Sequence, residues 1–552
     1  MVNNIKDKQM SKLVIKNNIN SELSITHADN KPAKSIIGTD ITVAVDTIND
    51  FQLGASDGDT VIVRDLNRGG TFIYDSSKIA EHNDGTNFNG WIRQYSGAVN
   101  VKWFGAVGDG VTDDSTLIQN AYSYAVSTNS KLYIPTGNYK AKVVFDENIE
   151  VYGDGAYQTI FTKVDNNYVI SMSSTNSSLE GAKLRGIGID NSNGTGTGLI
   201  LGGSGASNQG TLNNAQLYDV KVSNCDIGIY VSAMISTTLI KVTADYNTTY
   251  GIRFRNEGPN TTNAMLNCRF RQNGVGMYLG ALMVSTFTSC AIESNKDIGI
   301  MVTGSTTNTT SGLIFNTCWL ENNGYSPTGN NAGLESALYL DFNSSVGNTY
   351  SHNITFNGCI FSSPTNIYNV HVQRAMKVYF EKCYFTEFSS TYLYYNVGMG
   401  IGEIYLNECS QWKIPPTEAM YANMPALATN DKGFKYKFKD NTGKEFSNIP
   451  IQQKVLTLVD SATAYTQIDC FNIDTIMADT TNGDITLRSI NHINAVIGQT
   501  INISKYVSAN TLTIVHSADS GGFVTVDNSD KSITGRSVVT AVFNGISWNL
   551  NV

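Results

Sequence analysis

Two glutamates stand in matching frames, Cys290-Ala-Ile-Glu293 and Cys318-Trp-Leu-Glu321, and an arginine takes the same place one frame earlier in Cys268-Arg-Phe-Arg271. Two carboxyl groups held a few ångströms apart cannot both stay ionised; one pKa rises, leaving one acid and one carboxylate. Glycosidic bond cleavage uses that division, with carboxyls about 5–5.5 Å apart for retention and about 6.5–9.5 Å for inversion. Trp319 offers an aromatic face to a sugar ring, and Arg271 a fork that fits a carboxylate. The bland alternative pairs Glu293 with Arg271 or Lys296 and leaves Glu321 in solvent. Which holds depends on the element that presents them.

The cysteines reveal that element. Seven of the eight end an apolar-x-x-Cys frame: Val222 to Cys225, Met265 to Cys268, Phe287 to Cys290, Phe315 to Cys318, Phe356 to Cys359, Phe380 to Cys383 and Leu406 to Cys409. Their spacings are 43, 22, 28, 41, 24 and 26 residues. The gap of 43 divides at Val242-Thr-Ala-Asp245. There Asp245 fills the cysteine slot, or a one-residue shift turns Ala244 inward and Asp245 outward; the cost of a buried charge favours the shift. A frame returning every twenty-odd residues predicts a solenoid. Its thiols stack as small hydrophobes, with the wrong Cβ geometry for disulfides and no convergence for a metal.

Strand alternation then turns Cys and Cys+2 inward and Cys+1 and Cys+3 outward. The +3 column reads Gly228, Arg271, Glu293, Glu321, Ser362, so Glu293 and Glu321 stack one strand apart, about 4.8 Å. Like charges in that relation are destabilising and call for a reason. The +1 column holds Tyr246, Arg269, Trp319 and Tyr384. A third outward column, from the following strand, holds Tyr230, Arg253, Tyr278, Met301, Tyr339, His371 and Tyr394. Glu293 and Glu321 are therefore the catalytic candidates. Arg271, Trp319, Arg253, Tyr278, Tyr339 and His371 are the substrate-binding candidates. The tyrosine stripe suits a sugar or, equally, a face covered in an oligomer. Asp190 is a possible further acid, two coils before Asp245.

Composition agrees. The 552 residues include 49 Gly, only 9 Pro and 15% charged side chains, which fits short strands joined by polar turns. The net charge of −9 argues against nucleic acid as a partner. No apolar run is long enough to span a bilayer, and the first residues do not form a signal peptide, so a soluble protein made in a cytoplasm is expected. No metal or other cofactor is expected.

The run Phe104-Gly-Ala-Val-Gly-Asp-Gly-Val-Thr-Asp-Asp114, a following Ile118-Gln119, then Tyr133-Ile-Pro-Thr-Gly137 and Gly153-Asp-Gly155 resembles the opening of the pectate-lyase-like right-handed parallel β-helix shared by many phage tailspikes. Asp109, Asp113 and Asp114 are read as turn and cap residues, with Asp113 or Asp114 starting a helix. The predicted fold class is all-β: a right-handed parallel β-helix over 101–412, a small N-terminal β cap with an attachment arm over 1–100, a linker over 413–452 and an antiparallel β-sandwich over 453–552. The resemblance implies a homotrimer on the phage tail, joined to it through the N-terminal region and acting outside the host cell. Its partner would be a bacterial capsular or surface polysaccharide, cleaved by endo-acting hydrolysis. Two alternatives stay open: a lyase that eliminates at a uronate, and a receptor-binding adhesin without activity.

Overall fold

The computed structural model describes residues 42–342 with short breaks at 52–53, 175–177, 204–209, 257, 305–309 and 327–333, and mainly the strands thereafter. The expected attachment arm lies largely outside the described residues. Two compact units result. The first takes the described residues to Ile354 with Cys359–Arg374 and Thr386–Asn396; the second takes Thr355–Gly358, Ala375–Phe385 and Val397–Val552.

The first unit begins with the cap. Thr42–Val45, Thr60–Val63, Gly70–Tyr74, Asn87–Phe88 and Trp91–Gln94 form a five-stranded sheet around Val61, Val63, Phe72, Phe88 and Trp91. Arg93 fastens this sheet to the next segment. Its guanidinium carbon lies 4.5 Å from the Phe72 ring centre and 4.7 Å from that of Trp103, and burial lowers its pKa to about 10. The three aspartates that follow do turn duty, as expected. Asp114 accepts the N–H groups of Val107 (2.7 Å) and Gly108 (2.8 Å), Asp109 those of Val111 and Thr112, and Asp113 that of Ser115 at the start of the helix Ser115–Ser127.

Beyond the helix, parallel strands stack into a β-helix with three sheets. Sheet A has ten strands, among them Ile227–Val231, Tyr250–Phe254, Val275–Leu279, Ile298–Gly304, Ser336–Phe342 and Tyr368–Arg374. Sheet B has five two-residue strands, from Leu179–Glu180 to Leu282–Met283. Sheet C takes one eight-residue strand from two early coils, Lys183–Asp190 and Gln216–Ser223, and two short strands from later ones, such as Ala264–Leu266 with Arg269–Arg271, Thr286–Thr288 with Ala291–Glu293, and Leu313–Asn316 with Trp319–Glu321.

The cysteine frame has a backbone cause. Each thiol donates to the carbonyl of the frame's apolar residue one coil earlier: Cys268 to Leu239 (3.5 Å), Cys290 to Met265 (3.6 Å), Cys318 to Phe287 (3.5 Å) and Cys359 to Phe315 (3.3 Å). The apolar side chains stack in step, with the Phe287 and Phe315 rings 4.4 Å apart and 7° from parallel. Left-handed residues bracket the second short strand of a coil: Asn267 and Gln272, Ser289 and Ser294, Thr317 and Asn322 all have φ between 50° and 55°.

The register turns Ala244 inward and Asp245 outward, as the favoured alternative had it, and corrects the place of Cys225 in the frame. Lys221, Val222 and Ser223 pair with Thr243, Ala244 and Asp245, and these with Arg269, Phe270 and Arg271. Val242, not Asp245, therefore fills the cysteine slot, while Ala244 faces the core and Asp245 the outer column. Cys225 falls outside the frame and aligns with Asn247. From there an asparagine ladder runs along the corner between sheets C and A. The backbone N–H of Cys225 donates to Asn247 Oδ1 (3.1 Å), that of Asn247 to Asn273 (2.9 Å), that of Asn273 to Asn295 (3.1 Å), and that of Asn295 to Asn323 (3.1 Å). Gly228, Gly251, Gly276 and Gly299 lie against this ladder, where a Cβ would come within 2.6–2.9 Å of an amide. The same slot accepts valine in one coil and cysteine in the next, so Cys318→Val is expected to fold normally, with a chemical-denaturation change below about 1.5 kcal/mol.

In the second unit Glu403–Asn407 pairs in parallel with Lys377–Glu381 and with Lys435–Lys439, so the expected linker contains a further parallel strand. The rest of that linker lies mostly outside the described residues. The antiparallel sandwich expected at the C-terminus is also corrected. Val455–Leu458, Thr475–Ala478 and Thr500–Lys505 pair in parallel, as do Ala464–Tyr465, Ile485–Leu487 and Leu512–Ile514. Among the described residues of 453–552, antiparallel pairing involves Lys531–Ile533, Ser537–Phe543 and Trp548–Asn551. One-sided strands alternate apolar and polar residues in either direction, so alternation alone could not distinguish the two.

Candidate functional site

The second short strand of each sheet C coil carries one inward residue between two outward ones. Ala244, Phe270, Ile292, Leu320 and Phe361 fill the core with no exposed surface. Their outward neighbours stack in register as Asp190, Ser223, Asp245, Arg271, Glu293, Glu321 and Ser362, beside a second column of Lys221, Thr243, Arg269, Ala291, Trp319 and Ile360. Glu293 and Glu321 are thus direct neighbours, with Arg271 preceding them and Trp319 alongside.

The contacts grade this face from buried to open. Asp245 is 1% exposed and takes Arg269 Nη2 at 3.0 Å and Arg271 Nε at 3.4 Å on one oxygen. The arginines reach over the acid and roof it, which is how an outward carboxylate comes to be buried. Burial opposes the charge of Arg269, but Asp245 outweighs it and raises the guanidinium pKa, with Tyr157 and Glu293 adding to the effect. Farther along, Glu293 is half-buried and Glu321 exposed. Trp319 Nε1 donates to Glu321 Oε2 at 3.1 Å, leaving the indole ring 44% exposed.

Aromatic rings border the charges. Tyr246 sits in the left-handed region at φ 59°, an uncommon conformation for an aromatic residue, with its ring 5.7 Å from the Arg271 guanidinium carbon. It does not belong to the Cys+1 column where the cysteine frame had put it. Tyr157, on the loop before the strand Thr159–Thr162, lies 5.0 Å from Lys221 Nζ and is 66% exposed. Sequence reasoning missed Tyr157 and Lys221, because a loop's reach onto a neighbouring strand leaves no periodic mark.

The third column forms with the expected register but not the expected exposure. Tyr230, Arg253, Tyr278, Met301, Tyr339 and His371 are successive partners on the outer face of sheet A, and Tyr394 follows His371 in the backbone register. Tyr278, Tyr339 and His371 are nevertheless only 9%, 4% and 2% exposed. Tyr339 meets His371 edge-on at 5.0 Å and packs with Val275 and Ile298, against Tyr250, Met301 and Leu334. The residues that start the sheet A strands also lie outside the coil and cover part of the column. The substrate-binding candidates therefore fall into two groups: Arg271 and Trp319 beside Glu293 and Glu321 on sheet C, and Arg253, Tyr278, Tyr339 and His371 on sheet A.

Residues 147–315 match the family model for the right handed beta helix region. The fold is a right-handed parallel β-helix. Among solved structures, the chain is similar to the gp42 tailspike of Acinetobacter phage vb_AbaP_AS12, at 14% identity over 92% of this chain and 91% of that one, with a TM-score of 0.51. It is also similar to the tailspike of Acinetobacter phage vB_ApiP_P1, at 19% identity over 63% of this chain and 65% of that one, with a TM-score of 0.48. A third is the A-module of the Azotobacter vinelandii mannuronan C-5 epimerase AlgE4, at 16% identity, 70% and 91% coverage and a TM-score of 0.43. No curated protein sequence matches the chain.

Proposed function

We propose that this protein is a phage tailspike whose β-helix binds and hydrolyses a bacterial capsular or surface polysaccharide from within the chain, with Glu293 and Glu321 as the catalytic pair. The observation that carries this is their direct register on neighbouring strands, with Trp319 donating to Glu321. Strand spacing of about 4.8 Å suits the retaining class. In the proposed roles Glu293 is the general acid and Glu321, held in place by the Trp319 N–H, is the nucleophile. Glu321 then attacks the anomeric carbon as Glu293 protonates the departing glycosidic oxygen. Water, deprotonated by Glu293, next cleaves the sugar–Glu321 ester. Trp319, Tyr246 and Tyr157 give ring faces for the sugars, and Arg271 a polar contact. The run from Phe104 to Asp114, which resembles the β-helix entry shared by many phage tailspikes, is the ground for reading the chain as a homotrimer attached to the tail through residues 1–100.

One observation favours a second reading, β-elimination: Arg271 lies beside the exposed Tyr246, a cation and a phenol that could serve a uronate. Incubating the purified trimer with a panel of capsular polysaccharides separates these readings. Hydrolysis yields saturated reducing ends with retained anomeric configuration by NMR. Unsaturated, ultraviolet-absorbing products would replace it with the lyase, and tight binding with no shortening of any polymer would leave an adhesin.

A further inference from the structure

The outward arginines of sheet C are tied to carboxylates, Arg185 to Glu150 and both Arg269 and Arg271 to Asp245. Arg253, on sheet A, differs: among the described residues no carboxylate comes within ion-pair range of it, and its Nε is buried without a hydrogen-bond partner. Three tyrosines surround it instead. The guanidinium carbon lies 5.2 Å from the ring centre of Tyr250 on its own strand, 5.6 Å from Tyr278 on the next coil and 5.9 Å from Tyr230 on the preceding one. Two of these rings are held by further contacts. The Tyr278 hydroxyl donates to Asn256 Oδ1 (2.9 Å) and accepts from Thr303 Oγ1 (3.1 Å), while Tyr250 meets the Tyr278 ring edge-on at 5.3 Å.

We propose that Arg253 and its tyrosines form a second carbohydrate subsite, selective for a sugar that bears a carboxylate. Ring faces attract the cation and displace some of its water, but supply no counter-charge and no hydrogen-bond acceptor matched to its fork. A carboxylate satisfies both needs at once, through two parallel N–H···O bonds. Tyr230 and Tyr250, which are partly exposed, offer apolar ring surface to the C–H side of a pyranose, with the buried Tyr278 behind them. The asparagine corner separates this subsite from the Glu293–Glu321 face, so it grips the polymer away from the bond that is cut. The subsite rests on the polysaccharide reading above but not on hydrolysis.

The test uses saturation-transfer NMR on the full-length protein with glucuronate and N-acetylneuraminate, and with glucose and inorganic phosphate as controls. At least one acidic sugar should give a signal fivefold or more above glucose, and phosphate should not displace it at equal concentration. Arg253→Gln should lose this preference. Arg253→Lys, which keeps the charge but not the fork, should weaken it several-fold and serves as the readout if the glutamine variant misfolds. Glu293→Gln should keep it in full. Equal signals from acidic and neutral sugars, displacement by phosphate, or an unchanged preference in the folded Arg253 variants would overturn the proposal. Failure of the hydrolase reading would show separately, as unchanged depolymerisation by Glu293→Gln.

Discussion

Glu321→Gln is expected to leave the protein folded and, in its proposed role, to slow depolymerisation by about 10²–10⁴-fold, the range expected when a positioned catalytic group is lost. Glutamine keeps the shape and can still accept from the Trp319 indole, so the change removes charge and little else. Glu293→Gln should match that loss on the natural polymer, yet differ on an activated aryl glycoside. Such a leaving group departs without a proton, so the first step survives the loss of an acid but not the loss of a nucleophile. Release of the aryl group by Glu293→Gln, with a burst and slow turnover, against none by Glu321→Gln, assigns the roles. Full activity in both folded variants would move the site off this column.

Asn295→Ala should destabilise the β-helix by about 3–5 kcal/mol, because several buried groups lose partners together at about 1–3 kcal/mol each. Asn295 Oδ1 accepts the backbone N–H (3.1 Å) and side-chain N–H (3.0 Å) of Asn273, while its Nδ2 donates to Phe270 O (3.1 Å) and Asn323 Oδ1 (2.8 Å). Water cannot readily replace these bonds, since the amide is fully buried against Gly276. Guanidinium unfolding followed by tryptophan fluorescence reads the change, with the exposed Ser289→Ala as the near-neutral comparison. A loss under about 1 kcal/mol would mean that the ladder's bonds are remade within the corner.

Much of this architecture could be read from the chain alone, because a repeating frame fixes register and register fixes which side chains share a face. Glu293, Glu321, Arg271 and Trp319 were legible for that reason. Val222-Ser-Asn-Cys225 misled because it matches the frame by composition while lying in another register. The correction was also present in the sequence: Asn247, Asn273, Asn295 and Asn323 each stand five residues after the slot, which places Val242 in it. What periodicity could not carry was cover. An outward residue is exposed only if nothing else lies over it, and Tyr339, His371 and Asp245 are all outward and buried. Arg269 and Arg271 supply the cover for Asp245, and Val275 and Ile298 pack on Tyr339. Both depend on contacts between coils that a single strand's pattern does not encode.

The left-handed residues that bracket the site-bearing strands have a consequence for how such a chain can change. From Cys268 to Cys359 the coils differ in length, with steps of 22, 28 and 41 residues, yet the bracketed strands Arg269–Arg271, Ala291–Glu293 and Trp319–Glu321 are three residues each. The differences in length fall outside the bracketed strands, and the outward faces of these three strands keep their register. Each rung therefore behaves like a movable letter in a printer's frame. A lineage can exchange one rung for another, or lengthen the loops around it, and present a new surface in unbroken alignment with the old one.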